Sequence, residues 1–269
     1  MQTPSTTLPG ADLDAAKMPG HWLLARLGKR VLRPGGLELT RWMLEDLDVT
    51  GRDEVVEFAP GLGTTTRMTL ERRPATFVAV DRDPAAAERV TALLAPHGHR
   101  CISANASETG LPDHSATVVY GEAMLTMQPP EGKRRIVAEA ARLLRRGGRY
   151  GIHEMGLRPD DLLPESKRLI GAELSRSIHV GARPLTVAEW KALLEENGFR
   201  VRSAATTPMH LLEPGRLLQD EGVAGVARIT WNLLRDPVAR ARVLDMRHTF
   251  RRFLDSMCGV SLVAVRVEG

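Results

Sequence analysis

Cysteine is nearly absent from this chain. Cys101 and Cys258 stand far apart and offer no partner spacing for metal or redox chemistry. Each is expected as a small buried hydrophobe in a reducing compartment, which points to the cytoplasm. No metal site is expected. Aromatic residues make up only 4% of the sequence, and no basic run is interleaved with them as base stacking would need. Lysine is scarce as well: only five of the 37 basic residues are lysines, which leaves 32 arginines and a formal charge of +4. With so few aromatics, this excess of arginine does not argue for nucleic-acid binding. No run of about 18 apolar residues is present, so no membrane span is expected. Residues 1–17 are polar and lack the apolar stretch of a secretory signal, and they read as a frayed tail.

What is present is ordinary soluble-protein composition, 43% hydrophobic and 26% charged over 269 residues. That length suffices for one large α/β domain, or a domain with a lid. From about residue 54, strand-like and helix-like segments alternate, as in a helix-covered, mainly parallel sheet. The expected strands are Glu54 to Phe58, Thr76 to Val80, Cys101 to Ser103, Ala116 to Tyr120, Tyr150 to Glu154, Phe199 to Ala205 and Val260 to Val267. Asp83 followed by Pro84 opens one helix, and Thr186-Val187-Ala188-Glu189 has the form of a capping box opening another. Arg146-Gly147-Gly148 is expected to stop the helix before the fifth strand. Ahead of the first strand lie two amphipathic helices, one carrying Leu23, Leu24, Leu27 and Val31, the other Leu39, Met43, Leu44 and Leu47. Arg33-Pro34-Gly35-Gly36 joins them and, with Lys29 and Arg30, could fold over a ligand as a lid or be a plain connection. About fifty residues of helical pattern before the last strand are too long for a loop and read as an insertion.

The most informative stretch is Glu57-Phe58-Ala59-Pro60-Gly61-Leu62-Gly63-Thr64, a strand feeding a turn of tiny residues and then a helix. Ala59, Gly61 and Gly63 carry no side chain that would keep a ligand off the backbone. Asp81, followed by Arg82, ends the next strand, where a carboxylate can accept both hydroxyls of a ribose.

In these residues the chain resembles the class I S-adenosylmethionine-dependent methyltransferases. Their first motif, acidic-x-G-x-G-x-G, stands here as Glu57-x-Ala59-x-Gly61-x-Gly63, with alanine at the first glycine. Asp81 matches the family's ribose-binding acid. Ala104-Asn105-Ala106 with Leu111-Pro112-Asp113 is similar to its "GDA…LP…D" segment, with Asn105 where an acid meets the adenine amino group. Leu143 to Arg149 resembles its "LLKPGG" turn, and Gly259 to Val265 its antiparallel last strand. The resemblance runs over roughly residues 50 to 269. It implies a doubly wound, seven-stranded, mostly parallel sheet of the Rossmann-like methyltransferase type, with N-terminal helices and the helical insertion. The corresponding divisions are 1–50 (tail and lid helices), 51–206 (cofactor-binding core), 207–257 (insertion) and 258–269 (last strand). The implied cofactor is S-adenosyl-L-methionine, held by Glu57, Ala59, Pro60, Gly61, Gly63, Thr64, Asp81, Arg82, Asn105, Ala106, Gly121 and Glu122, with Glu122 on the methionine amino group. A nicotinamide-dependent oxidoreductase would want a third glycine at position 66, which is Thr66. A non-catalytic cofactor-binding scaffold or regulator would carry the same motifs.

Ligands of open parallel sheets sit outside the carboxyl ends of the strands. Met124, Met127, Met155 and Met209 fall just past three such ends and form a candidate adaptable, apolar wall for a small, partly apolar methyl acceptor. The insertion, with Trp231 and Phe250, could close over it. The Asn/Asp-Pro-Pro-aromatic motif of nucleic-acid amino-methyltransferases is missing after the fourth strand, which reads Gly121-Glu122-Ala123-Met124. His153 is the candidate general base, set against a satisfied structural histidine on a strand. Arg240, Arg247 and Arg251 recur at helical spacing and read as a solvated face. The acceptor's identity and the oligomeric state are not legible.

Overall fold

Runs of β-branched and apolar residues build the sheet, and their order along the chain sets where a ligand can enter. In the computed structural model, which describes residue 10 and residues 13–267, the strands are β1 (Glu54–Phe58), β2 (Thr76–Asp81), β3 (Arg100–Ser103), β4 (Ala116–Glu122), β5 (Leu144–Leu157), β6 (Leu185–Thr186), β7 (Phe199–Pro208) and β8 (Met257–Arg266). They pair in the order β3-β2-β1-β4-β5-β8-β7, with the two-residue β6 added beside the end of β5. All pairings are parallel except those of β8, which runs antiparallel between β5 and β7. The seven-stranded, mostly parallel sheet implied by the resemblance is therefore the observed one, with one short extra strand. From β1 the chain winds outward to β3, then returns to lay β4 on β1's other side. The crevice of such a fold opens there, at the carboxyl ends of β1 and β4.

The helices are α1 (Gly20–Arg26), α2 (Gly36–Leu47), α3 (Thr64–Leu70), α4 (Pro84–Leu94), α5 (Pro130–Leu143), α6 (Pro164–Ile178), α7 (Val187–Glu195), α8 (Pro214–Arg235) and α9 (Pro237–Arg252). Strand alternation sends Val55 and Val118 to one face, where they pack with Met43, Leu44 and Leu47 of α2. Val56 and Val119 face the other way, onto Ile136 and Val137 of α5 and Trp190 of α7. A third apolar cluster, above the strand ends, joins Leu23 and Leu24 of α1, Ile170 and Leu174 of α6, and Met246 and Phe250 of α9. The capping box at Thr186 and Glu189 is complete, and Asp83 accepts from the amides of Ala85 and Ala86.

Several elements differ from their sequence expectation. The helix before β5 stops at Leu143, ahead of the glycines, because Leu144 already pairs with Ala116; Arg146-Gly147-Gly148 lies within β5, in the register break that follows. Helix α6 had no sequence signal assigned to it. Val31 falls outside α1, which ends at Arg26. Of the tail expected over residues 1–17, residues 1–9, 11 and 12 lie outside the described residues. The rest is docked, not frayed: Ala15 is buried, and Arg242 Nη1 donates to the carbonyls of Ala15 (2.7 Å) and Met18 (2.6 Å).

Residues 28–36 form a strap lying across the ends of β5 and β8. Its backbone passes so close to β8 that a Cβ at Gly259 would lie 2.8 Å from the Gly35 nitrogen. Helix α8 holds the strap in place. Glu221 accepts from the amides of Arg30 (2.8 Å) and Val31 (2.9 Å) and faces the buried Lys29 ammonium at 3.5 Å, while Asp220 accepts from Leu37 N at 3.1 Å. No described helix is long and apolar enough to cross a membrane.

Candidate active site

A cavity of about 340 Å³ opens at the carboxyl ends of β1 to β5, inside the usual range for a small-molecule site. Its floor is the turn after β1. Ala59, Gly61 and Gly63 all have positive φ (51°, 54° and 71°), the left-handed region that favours glycine. Alanine at the first position thus adopts the conformation a glycine would take more easily. Thr66 Oγ1 donates to Glu57 Oε2 at 2.5 Å behind this turn.

Asp81 stands at the lip of the cavity. Its Oδ2 accepts from Gly61 N at 3.2 Å and its Oδ1 from Asp83 N at 3.0 Å, so each oxygen keeps a lone pair for a further donor. Asn105 also lines the cavity, but its amide oxygen already accepts from Ser107 N (3.0 Å) and Ser107 Oγ (3.1 Å), which uses both lone pairs.

Glu122, at the end of β4, is the hub of the site. Its Oε1 accepts from Thr40 Oγ1 at 2.6 Å and His153 Nδ1 at 2.7 Å and lies 3.3 Å from Arg33 Nε; its Oε2 accepts from Thr65 Oγ1. Burial alone pushes this carboxyl up, but Arg33, His153 and Thr40 outweigh it and hold it at about 2. Glu57, close by, is the opposite case. Burial outweighs its hydrogen bond from Thr66, and the nearby Glu122 charge adds to the rise, to about 8. The two carboxyls thus differ in charge at neutral pH.

These shifts set opposite pH windows. Glu122, lowered in the fold, contributes stability present above its ordinary value of 4.5 and lost as the pH falls toward 2. Glu57, raised in the fold, contributes stability fully present below 4.5 and lost as the pH rises through 8. The expected outcome is a fall in unfolding free energy as the pH rises from about 4.5 to about 8, with a slope of at most about 1.4 kcal/mol per pH unit from Glu57. Denaturant melts of Glu57→Gln should lose that slope; an identical slope in wild type and variant would remove Glu57 as its source.

Of the residues named from sequence, Glu57, Ala59, Pro60, Gly61, Thr64, Asp81, Arg82, Asn105, Ala106, Glu122, Met124, Met127 and Met155 all line the cavity. Gly63, Gly121, His153 and Met209 do not. Gly63 caps α3, and Gly121 packs against Phe58. Met209 is buried in the cluster above the strand ends. His153 is 0% exposed and sits behind Glu122, with Nδ1 on that carboxylate and Nε2 on the Pro34 carbonyl. Both ring nitrogens are thus engaged within the protein, and the ring does not line the cavity. Its neighbour Glu154, on the opposite face of β5, accepts from Met124 N (2.9 Å), Leu125 N (2.8 Å), Thr126 N (3.0 Å) and Thr126 Oγ1 (2.7 Å). It thereby fixes the loop that carries Met124 and Met127.

Sequence reasoning passed over several lining residues: His21 and Trp22 of α1, Ile178 at the end of α6 and Val180 just beyond it, and Leu211 and Met246. The ring centroids of His21 and Trp22 are 4.7 Å apart, and burial together with the Arg82 charge lowers His21 to about 4, so it faces the cavity uncharged. An adjacent His-Trp pair in a chain this poor in aromatics was the available signal. Trp231 was expected to close the site but is 55% exposed on the outer face of α8, whereas Phe250 does line the cavity. Arg247 and Arg251 pair with Glu213 and Arg240 is exposed, so the arginine series is a solvated face. Among the described residues no cluster of His, Cys, Asp and Glu is arranged to hold a metal.

The donors suit S-adenosylmethionine. Arg33 lines the cavity while its Nη2 is buried without a partner, an orphaned cationic group where the cofactor's carboxylate would be welcome. The family pattern described as "Methyltransferase domain" matches residues 56–152. An uncharacterised protein of Haemophilus influenzae is 33% identical over 220 residues, 80% of this chain and 86% of its own. Among solved structures, the MccD protein superposes with a TM-score of 0.69 at 17% identity, over 87% of this chain and 99% of that one. Geranyl diphosphate methyltransferase in complex with SAM gives a TM-score of 0.60 at 17% identity, over 86% and 85% of the two chains. A domain match that runs from β1 into β5, on a sheet whose last strand runs antiparallel in the sixth place, makes this chain a member of the class I S-adenosylmethionine-dependent methyltransferases, enzymes that move a methyl group from that cofactor to an acceptor.

Proposed function

We propose that the acceptor is a small, largely apolar molecule, received in the half of the cavity away from Asp81. The carrying observation is the lining itself: Met124, Met127, Met155 and Met246 line the cavity with Leu211, Ile178, Val180 and Phe250, and Met155, Met246, Leu211, Phe250 and Ile178 pack in one apolar cluster. Methionine side chains supply a polarizable surface that adapts to an apolar ligand's shape. At the other end Asp81 would take the ribose hydroxyls, Arg33 the carboxylate and Glu122 the amino group of the cofactor. That assignment divides one cavity into a polar half for the cofactor and an apolar half for the acceptor.

The cofactor supplies an activated methyl group that leaves by in-line displacement, so this chain's residues have chiefly to position and to exclude water. Positioning is worth up to about 7–11 kcal/mol in well-oriented systems. On this reading no general base is needed, and His153 acts as a positioning residue through Glu122. Cytoplasmic residence belongs to the same reading, supported by two free cysteines, one of them buried.

Incubation with methyl-labelled S-adenosylmethionine and fractionated cell extract is expected to put label into solvent-extractable small molecules. Label found only in macromolecular or strongly polar fractions would overturn the acceptor class. Met127→Glu, which places a charge on the half-buried wall, should lower turnover on an extracted acceptor by about tenfold or more, with adenosylhomocysteine affinity unchanged. Met127→Leu should retain activity. Titration calorimetry with NAD should show no binding.

A further inference from the structure

Among the described residues, the exposed large hydrophobics gather on α8 and α9: Leu218, Val223, Trp231, Leu234, Val238 and Leu244, against only Leu13, Leu163 and Leu169 elsewhere. Their spacing is regular. Gly222 breaks α8 with φ 69° and ψ 174°, and beyond that break Val223, Ala227, Trp231 and Leu234 recur at i, i+4, i+8 and i+11 along one exposed stripe. On α9, Val238, Ala241 and Leu244 are exposed, while Ala239, Met246 and Phe250 are buried on the inner side. A surface helix of a soluble domain normally carries one apolar face. Here α9 carries two: the inner one is a wall of the cavity, and the outer one has no partner among the described residues.

The charge around that outer face is of one sign. Residues 222–244 hold Arg228, Arg235, Arg240 and Arg242 and a single acid, Asp236, which is paired with Arg26 at 3.0 Å and caps α9. Arg242 is turned inward to the carbonyls of Ala15 and Met18. Arg228, Arg235 and Arg240 are exposed, and none of the three makes an ion pair among the described residues. The Arg235 guanidinium lies 4.3 Å from the Trp231 ring centroid, so the largest apolar group and a cation share one spot.

We infer that the outer face of α8 and α9 is a docking surface for an anionic lipid bilayer. An amphipathic surface with tryptophan and leucine on its apolar stripe and arginine beside it is the form that lies in the headgroup layer. Anionic headgroups neutralise Arg228, Arg235 and Arg240, whereas a second copy docking on the same face would bring those arginines against their own equivalents. Charge therefore selects lipid over self-association. The surface stands apart from the nature of the methyl acceptor. Delivery of an apolar acceptor from the bilayer, through the helix whose inner face lines the cavity, follows only if the acceptor reading also holds.

The test is co-sedimentation of the full chain with vesicles of phosphatidylcholine alone and of equal parts phosphatidylcholine and phosphatidylglycerol. Binding is expected to the anionic vesicles only, and to weaken as salt is raised. Trp231→Glu with Leu234→Glu, and separately Arg235→Glu with Arg240→Glu, should each lower vesicle binding by about tenfold or more. All four sites are exposed, and adenosylhomocysteine affinity should stay as in the wild type, which shows that the variants fold. Absence of binding to anionic vesicles, or equal binding by the variants, would overturn the inference. So would a concentration-dependent dimer in sedimentation velocity that the Trp231→Glu, Leu234→Glu variant abolishes, because a second copy would then be the occupant.

Discussion

Asp81→Ala is expected to weaken binding of S-adenosylmethionine and S-adenosylhomocysteine by roughly ten- to a hundredfold for each ribose hydrogen bond lost. The carboxylate is the only acidic group at the end of β2 that lines the cavity with a spare lone pair on each oxygen, the others being spent on Gly61 N and Asp83 N. A charge-assisted bond is worth about 1.5–3 kcal/mol, and water entering the vacated space returns part of that. Asp81→Asn keeps one acceptor oxygen and should fall between wild type and alanine. Isothermal titration with adenosylhomocysteine measures the effect directly, and the melting temperature of the unliganded protein separates it from general damage. Unchanged affinity in a folded Asp81→Ala protein would take the ribose away from Asp81 and leave the floor turn, Arg33 and Glu122 to hold the cofactor.

Glu122→Ala should be the most destabilising single change in the site. It would leave Arg33 and His153 buried without their carboxylate, and breaking a buried ion pair by removing one partner costs about 3–5 kcal/mol. Much of the effect should appear in the strap, which Glu122 holds through Arg33 and Thr40 and which His153 holds through the Pro34 carbonyl. Urea unfolding should show the loss, and limited proteolysis should show new cleavage between residues 28 and 36. Glu122→Gln, which keeps the shape without the charge, should lie between. A variant as stable and as protease-resistant as the wild type would mean that the network is held by its hydroxyl and backbone bonds alone. His153→Gln sharpens the distinction between positioning and proton transfer. The pH profile of turnover should keep its shape while cofactor affinity drops; loss of one limb of the profile would return His153 to the role of a base.

Much of the core was legible because its signals are local. A strand of Glu54 to Phe58 ending in a turn of tiny residues, and an acid ending the next strand, lie within a few residues of the atoms they place, so reading them needs no knowledge of distant contacts. The buried last strand was readable in the same way from its largely apolar run, and its antiparallel direction from the family resemblance. Element ends were less legible. Leu144 belongs to a strand and not to a helix because Ala116, 28 positions earlier, is there to pair with it.

The sequence by itself determined the class of sheet, the floor of tiny residues and the acid beside it, and, through the family they resemble, the cofactor and the type of reaction. Tertiary structure alone decided what closes the site and which polar groups face it. Helical periodicity says that Met246 and Phe250 are buried, but not that they are buried against a cavity also lined by Trp22 and Arg33 from the other end of the chain. Alternation along β5 says that His153 and Glu154 point to opposite faces, but not which face looks onto a ligand. Both proved fully buried, one holding the strap and the other the methionine loop. A side chain's direction follows from its own backbone, whereas the surface it meets is built by residues a hundred positions away. Only the packed fold brings them together.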